Sequence, residues 1–373
     1  MTTKKLFRRL HLWLSLPIGI VISLICFSGA TLVFETEICE ILDSHLYKVE
    51  KKATAPLSLP TLVEIAKKSL PDSVKITGAT IYASADRSYQ FNLSAPSRAS
   101  IYIDQYTGEV KGKYERKPFF DTMFRLHRWL LNPPAGGEKT SIGKTIVGVC
   151  TLLLAIILLT GFIIWLPKSL NGLKNRLSVQ TRKGWKRFFY DLHVSAGFYA
   201  GFFLLIMALT GLTWSFPWYR TAFHSIFGAK PDTGDSPKAT SPHAHHERGR
   251  QKNKEISYQH WDKIYAQIKQ INPDAKSYTI SSETAGANVG AFATPRATNK
   301  YTLGKEGEIL TTDNYAERPL KETIQTTVYS VHVGTWGGIF TRILAFLSAL
   351  IGCTLPITGY YLWIKRTFKK KNA

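Results

Sequence analysis

Four long apolar runs constrain this chain more than any other feature. They cover roughly residues 12–34, 142–166, 194–216 and 337–363. A helix needs about 20 apolar residues to cross the hydrocarbon core of a bilayer. The second run contains one charged residue, Lys144, and the third contains none. The sequence therefore predicts a mostly α-helical membrane protein built on a bundle of four transmembrane helices.

The first and third runs are copies of one pattern. Each follows a Leu-His pair, at His11 and His193, and each contains a Ser/Thr-Gly pair whose glycine lies eighteen residues after the histidine. The second and fourth runs share a looser pattern, in which His127 and His332 precede a Thr-Gly pair that lies four residues before a tryptophan. The four pairs are Ser28-Gly29, Thr160-Gly161, Thr210-Gly211 and Thr358-Gly359. Such repeats indicate an internal duplication.

The net charge of +22 is concentrated beside the apolar runs. Residues 4–9, 168–187 and 365–371 hold sixteen Lys and Arg residues. Short loops rich in Lys and Arg stay on the cytoplasmic side of a membrane. Four spans put all three segments on one side, so we expect both termini in the cytoplasm and the two long polar regions outside it. Charge placed in this way argues against nucleic-acid binding.

Each long polar region predicts a small α+β domain. In the first, residues 57–70 have helical spacing and precede strand-like alternations that end in a turn at Gly108. In the second, a helix is predicted near 258–271, and strands are predicted at 276–282, 288–293 and 299–303. Strands bounded by turn residues and packed with one helix are typical of an antiparallel sheet. The two outer domains therefore look related to each other.

These features divide the chain into seven expected segments. They are the N-terminus and first span at 1–34, the first outer domain at 35–126, a His-containing link and second span at 127–166, a basic cytoplasmic loop at 167–190, the third span at 191–216, the second outer domain at 217–331 with a flexible linker at 230–254, and the fourth span with a basic tail at 332–373.

Four of the ten histidines stand at the edges of the predicted spans. The topology puts His11 and His193 at the cytoplasmic edge and His127 and His332 at the outer edge. Parallel repeats are related by an axis along the membrane normal, which would make the two histidines at each edge face each other. Facing imidazoles in a helix bundle can be the two axial ligands of a b-type haem. Interfacial histidines without a ligand role are the alternative.

Other residues leave two interpretations open. His243, His245 and His246 lie in the predicted linker, either as metal ligands or as a solvated segment. Trp214 and its aromatic neighbours fit an interfacial belt or the lining of a substrate site. The Ser/Thr-Gly pairs would allow close helix packing or admit the flat face of a porphyrin.

Motifs from nearly the whole chain carry a resemblance to a known family. They are Arg9-Leu10-His11-Leu12-Trp13 with Ser28-Gly29, Asp191-Leu192-His193 with Thr210-Gly211, Leu126-His127-Arg128 with Thr160-Gly161 up to Pro167, and the turn Tyr106-Thr107-Gly108-Glu109-Val110. The span motifs resemble the PepSY-associated transmembrane family, and the turn is similar to PepSY domains. Members are bacterial inner-membrane proteins, often tied to iron acquisition, and some are haem-containing reductases of ferric siderophores.

The resemblance implies two b-type haems whose iron is ligated by His11, His193, His127 and His332. Electrons would enter at the cytoplasmic edge and reduce a ferric chelate, such as a ferric siderophore, on the periplasmic side. The sequence has no nucleotide-binding fingerprint, so the electron donor would be a reduced flavin, a quinol or a partner reductase. It identifies no catalytic residue for the substrate.

Two other classes of function are alternatives to this reductase. The first is a non-enzymatic PepSY membrane protein that binds or inhibits a periplasmic partner. The second is a transporter, for which the spans offer no buried carboxylate as an ion path.

The two halves of the repeat differ in spacing at the outer edge. His127 lies 34 residues before Gly161, whereas His332 lies 27 residues before Gly359, because residues 132–137 lengthen the first link.

Overall fold

The computed structural model describes residues 3–135, 138, 140–167, 173–180, 182–228 and 257–371. The described residues within 1–34, 119–236 and 328–373 form one compact unit, which we call the helical unit. Residues of 35–118 and 237–327 form a second, which we call the sheet unit. The predicted linker at 230–254, with His243, His245 and His246, lies outside the described residues.

The described residues contain helices in both units, several of them not predicted from the sequence. They are α1 Thr3–Val33, α2 Glu35–Leu42, α3 Ser44–Tyr47, α4 Leu59–Lys68, α5 Pro118–Trp129, α6 Ile142–Trp165, α7 Leu173–Leu177, α8 Trp185–Asp191, α9 Gly197–Ser215, α10 Pro217–Ile226, α11 Trp261–Ile271, α12 Leu320–His332 and α13 Gly338–Lys371. A π-helical turn, Leu192–Ala196, joins α8 to α9 without a break.

Four helical stretches are long and apolar enough to cross a membrane. They are Thr3–Val33, Ile142–Trp165, Trp185–Ser215 and Thr335–Phe368. These stretches cover the four predicted apolar runs except for the last residue of the first three, so the prediction of four apolar membrane-spanning helices is confirmed. In the bundle, α1 and α9 each pack against both α6 and α13. Its core is aliphatic and includes Ile22, Ile157 and Leu204.

The sheet unit contains one antiparallel sheet of eight strands. They are β1 Ile76–Tyr82, β2 Tyr89–Leu93, β3 Ser100–Ile103, β4 Val110–Tyr114, β5 Ser277–Ser281, β6 Thr284–Asn288, β7 Thr298–Leu303 and β8 Ile309–Asp313. The spatial order is β4-β3-β2-β1-β5-β6-β7-β8. Each polar region thus supplies four strands, and the two sets join where β1 pairs with β5 and Thr80 lies opposite Thr279. The sequence did not predict this joining.

The two helices of the sheet unit share one apolar core with the sheet. Leu62 of α4 and Ile268 of α11 are fully buried in the same cluster as Phe91 and Ile280 of the strands. The side chain of Asp262 in α11 accepts a hydrogen bond from the backbone N–H of Leu59, at 2.8 Å. Because the first N–H groups of a helix have no partner within it, this bond ties the start of α4 to the other polar region.

One predicted strand is in the wrong place. The sequence pattern predicted a strand at 288–293, but β6 occupies Thr284–Asn288. The hairpin is tight, because the Ser281 hydroxyl donates to the Thr284 carbonyl at 3.0 Å and pairing begins with Ile280 opposite Ala285. The position of β6 is therefore set by its pairing with β5 and not by the apolar pattern at 288–293.

Candidate functional site

The four predicted histidines lie in the helical unit as two pairs. The ring centroids of His11 and His193 are 6.4 Å apart, and their planes meet at 89°. Those of His127 and His332 are 6.2 Å apart, with planes at 53°. We call His11 and His193 the span pair, because both lie within candidate spans. We call His127 and His332 the link pair, because they lie in α5 and α12, ahead of the second and fourth spans.

Every ring of the two pairs is held through Nδ1 by a backbone carbonyl of a neighbouring helix. The contacts join His11 to Ile157 at 3.0 Å, His127 to Ile25 at 2.9 Å, His193 to Leu355 at 3.1 Å and His332 to Met207 at 3.0 Å. Three rings also contact a threonine hydroxyl: His11 reaches Thr160 at 3.1 Å, His193 reaches Thr358 at 3.0 Å and His332 reaches Thr210 at 3.1 Å.

These contacts determine which ring nitrogen carries the proton. A carbonyl oxygen only accepts hydrogen bonds, so Nδ1 of each histidine must donate. In a neutral imidazole the other nitrogen, Nε2, then has the lone pair that a metal ion binds. Histidines that ligate metals are usually oriented in this way, with the second nitrogen donating to a carbonyl or carboxylate.

Each ring also lies against the glycine of one Ser/Thr-Gly pair. A β-carbon built on that glycine would approach the Cε1 atom of the imidazole: 2.8 Å from Gly29 to His127, 3.4 Å from Gly161 to His11, 3.2 Å from Gly211 to His332 and 3.3 Å from Gly359 to His193. Real β-carbons almost never come closer than 3.0 Å to a neighbour, so only glycine fits at position 29 without a shift of the ring. At Gly211 and Gly359 a β-carbon would be tighter than most real contacts, and at Gly161 it would make an ordinary contact.

The contacts between histidines and glycines are reciprocal within each half of the chain. The first span holds His127 and the second holds His11, while the third holds His332 and the fourth holds His193. The sequence predicted the glycines as sites of close packing or of porphyrin contact, but it did not identify the histidines as their partners.

A distorted helix carries one member of the span pair. His193 lies in the π-helical turn Leu192–Ala196. Immediately before the turn, the buried carboxylate of Asp191 accepts from Arg187 Nε at 2.8 Å and from the Gln180 backbone N–H at 3.1 Å. Single π turns inside α-helices occur frequently at functional sites. Sequence reasoning gave no role to Asp191.

A strained turn follows one member of the link pair. Leu130 and Leu131, just after the end of α5, have φ values of +46° and +65°. Left-handed conformations are unfavourable for residues with a side chain and concentrate at functional sites. The turn is tied to the start of α6, because the Ser141 hydroxyl donates to the Asn132 carbonyl at 2.6 Å. The seven extra residues of the first link are taken up before α6 begins, and His127 still faces His332.

Trp214 lies against the link pair. Its ring meets that of His332 edge to face, with centroids 5.3 Å apart, and that of Tyr329 at 6.3 Å. The contact makes Trp214 a neighbour of the link pair.

The two pairs suit a metal whose remaining ligands come from a cofactor. Within the described ranges, no group of three or more His, Cys, Asp and Glu side chains could hold a metal ion. A metal–imidazole bond is about 2 Å long, so two imidazoles on opposite sides of one metal have centroids about 6 Å apart. Both ring separations lie near this value. A porphyrin would supply the four other ligands, so the residues present fit a haem that two histidines would hold.

Comparison with protein families decides the identity of the chain. The family model for the PepSY-associated TM region matches residues 8–366, nearly the whole chain. The chain belongs to the PepSY-associated TM family. Comparison with curated proteins found no match. Membership and the four apolar helices make this PepSY-associated protein a multi-pass membrane protein in contact with lipid.

Proposed function

We propose that the protein is a transmembrane electron-transfer protein that holds two b-type haems and reduces ferric iron, most simply a ferric siderophore, on the periplasmic side of the bacterial inner membrane. One observation carries the proposal. Each histidine pair has the ring separation of axial ligands, and each of its Nδ1 atoms donates to a carbonyl.

The distance between the two pairs supports a function that crosses the membrane. His11 lies near one end of α1, and Gly29, which packs on His127, lies near the other end. Eighteen residues of helix rise about 27 Å, and the hydrocarbon core of a bilayer is about 30 Å thick. One pair would then lie near each edge of the membrane. An electron path between the two sides requires a cofactor near each edge.

The residues of the chain have three tasks in this proposal. The four imidazoles would hold iron through Nε2, and their Nδ1 hydrogen bonds would fix the ring orientation and raise the basicity of the ligands. The aliphatic core between the pairs excludes water. When bound, a haem supplies reversible one-electron chemistry at its iron, with a potential set by its ligands and burial. The electron donor is a separate molecule, a reduced flavin, a quinol or a partner reductase.

We infer further that the two halves arose by duplication and that both termini are cytoplasmic. The reciprocal histidine–glycine contacts support the duplication, since each half repeats them with its own spans. The basic segments support the orientation by the positive-inside rule. Both polar regions, and with them the sheet unit, are then periplasmic.

A visible spectrum of the purified protein tests the cofactor. We expect a Soret band and α/β bands of low-spin haem, with about two haems per chain in a pyridine haemochrome assay. Dithionite-reduced protein in proteoliposomes should be reoxidised by an external ferric chelate. A protein without haem after expression with haem supplementation would refute the proposal and favour a non-enzymatic PepSY protein.

Reporter fusions test the orientation separately. Fusions at Gly172, which lies outside the described residues, and at the C-terminus should report the cytoplasm. Fusions at Gly108 and Gly286, both in the polar regions, should report the periplasm. A periplasmic signal from Gly172 would overturn the arrangement of the spans.

A further inference from the structure

A buried tryptophan near the span pair has an indole N–H without a hydrogen-bond partner. Trp165 is 8% exposed, and its Nε1 atom reaches no acceptor among the residues that the structure describes. Buried tryptophan N–H groups normally find an acceptor. An unpaired one is unfavourable, because folding removes its hydrogen bond to water. This N–H is therefore a candidate donor to a group that the chain itself does not supply.

Two contacts place Trp165 close to both histidines of the span pair. It follows Gly161, the glycine that lies against His11, by four residues in α6, and four residues of helix rise about 6 Å. Its ring stacks on that of Phe198, with centroids 3.7 Å apart and planes at 12°. Phe198 follows His193 by five residues in the same helical stretch. We call these two rings the Trp165–Phe198 stack.

The direction of the side chain brings the indole towards the histidines. Side chains in an α-helix lean towards its N-terminal end and cover the preceding turn. Trp165 therefore lies over the turn that contains Gly161 and Phe162, which is the turn that receives His11. Ring contacts agree with this, because Phe198 meets Phe162 edge to face at 5.9 Å as well as stacking on Trp165.

Two cations lie at the same end of α6. Arg176 donates through Nη1 to the carbonyls of Ile164 and Trp165, and Lys4 donates through Nζ to the Leu166 carbonyl. The C-terminal end of a helix is negative and by itself disfavours an anion, but these cations offset that charge. With the indole N–H beside them, the charges favour a carboxylate over a neutral oxygen as the acceptor, since hydrogen bonds to ionised groups are the stronger ones.

The equivalent positions of the other half differ. Trp363 corresponds to Trp165, because each lies four residues after the glycine of its own span. Trp363 is 39% exposed. Leu16 corresponds to Phe198, because each lies five residues after its histidine. The stack and its buried N–H therefore belong to one half, and Trp363 offers a matched comparison.

Resting on the proposed function, we propose that Trp165 donates its Nε1 hydrogen bond to a propionate carboxylate of the haem that His11 and His193 would hold. A porphyrin between the two imidazoles extends past them at its rim, and its carboxylates are at that rim. Trp165 is then a positioning residue, because a hydrogen bond at one side of the rim selects one orientation of the porphyrin.

Three variants test the proposal. Trp165→Phe removes the N–H and keeps an aromatic ring against Phe198. Trp363→Phe is the matched control at the equivalent position, and Phe198→Leu disturbs the stack but keeps the N–H. Each protein is examined by haem transfer to apomyoglobin, by redox titration, and by infrared redox-difference spectra with haem that is isotope-labelled at the propionate carboxyls. The haem of the span pair is identified as the one that His11→Ala lacks.

The expected results concern one haem only. Trp165→Phe should release the haem of the span pair about tenfold faster, because a hydrogen bond to a charged group is lost. The midpoint potential of this haem should fall, because the carboxylate then keeps more negative charge near the iron, which favours the ferric state. The labelled carboxylate band should shift in Trp165→Phe and stay in place in Trp363→Phe and Phe198→Leu. The haem of the link pair should be unchanged, which shows that the variant is folded.

Other results would overturn the proposal. An unshifted carboxylate band in Trp165→Phe would show that the indole has a different partner. An equal shift in Phe198→Leu, or the loss of both haems from Trp165→Phe, would show that the stack acts only through packing. In these cases the parent protein still contains two haems and the proposed function stands. A parent protein without haem would instead refute the proposed function, and the role of Trp165 with it.

Discussion

The span pair and the link pair are alike in their polar contacts and differ in the backbone that presents them. His11 and His193 extend from helical stretches that continue through the candidate spans. His127 and His332 lie at or near the ends of helices that stop before their spans begin. The planes of the span pair are nearly perpendicular, whereas those of the link pair meet at 53°. The two pairs therefore have similar ring separations although different kinds of helix carry their histidines.

This comparison shows which contacts are common to all four histidines. All four rings have a carbonyl partner four residues before a glycine, and all four lie on that glycine. The helices that carry the histidines vary, but the helices that receive them do not. The receiving surface, a Ser/Thr-Gly pair in a neighbouring span, is therefore what defines the site.

The largest expected effect is the loss of a whole haem, and it tests the pairing. His11→Ala and His193→Ala should each reduce the haem content from about two to about one per chain. The double variant should lose no more, because both changes act on one site and are not additive. His127→Ala and His332→Ala should together define the other haem.

Haemochrome assays and redox titrations of each variant measure this. Full haem content in all four single variants would refute the ligand assignment. If His11→Ala and His127→Ala removed the same haem, the pairs would be wrong although haem was present.

A smaller effect is expected at the glycines, where the two pairs differ in tightness. A methyl group at Gly29 would lie 2.8 Å from His127, whereas one at Gly161 would lie 3.4 Å from His11. Overpacking of this kind costs about 1–3 kcal/mol. Gly29→Ala should therefore weaken haem binding at the link pair about tenfold. Gly161→Ala is the matched control and should change the span pair little. Haem transfer to apomyoglobin measures both, and equal effects would contradict the contrast.

The sequence predicted the spans and the two pairs because their signals are local or repeated. An apolar run identifies a span by its length, and the repeated Leu-His identifies equivalent positions. The partners of the histidines were not predicted, since His11 and Thr160 are 149 residues apart and no local pattern joins them. The same limit applies to the pairing of β1 with β5. The π-helical turn at His193 has no evident signal in the residues Leu192–Ala196, which would also form an ordinary helix.

The buried carboxylate next to the π-helical turn should affect the span pair alone. Asp191→Asn keeps the size of the side chain but replaces the charged acceptor with a neutral amide, which weakens both hydrogen bonds and should lower the free energy of unfolding by on the order of 1 kcal/mol. Because His193 follows two residues later, the haem of the span pair should also shift its EPR signal. Thermal unfolding and EPR measure these effects, with the exposed Asp72→Asn as control. A shift in the haem of the link pair would contradict a local role.

The smallest expected effect concerns the threonine hydroxyl that contacts three of the histidines but not His127. Thr210→Val removes the hydroxyl that accepts from His332 Nδ1 but leaves the Met207 carbonyl in place. A less basic ligand stabilises ferric iron less, so the midpoint potential should rise. The shift should be on the order of 10–40 mV, because a neutral hydrogen bond contributes about 1 kcal/mol and a tenfold change corresponds to about 59 mV for one electron. Ser28 occupies the equivalent position for His127, but its hydroxyl donates to the Leu24 and Ile25 carbonyls. Ser28→Ala should therefore shift the potential of the same haem less, and an equal shift would show that the threonine hydroxyl does not tune the ring.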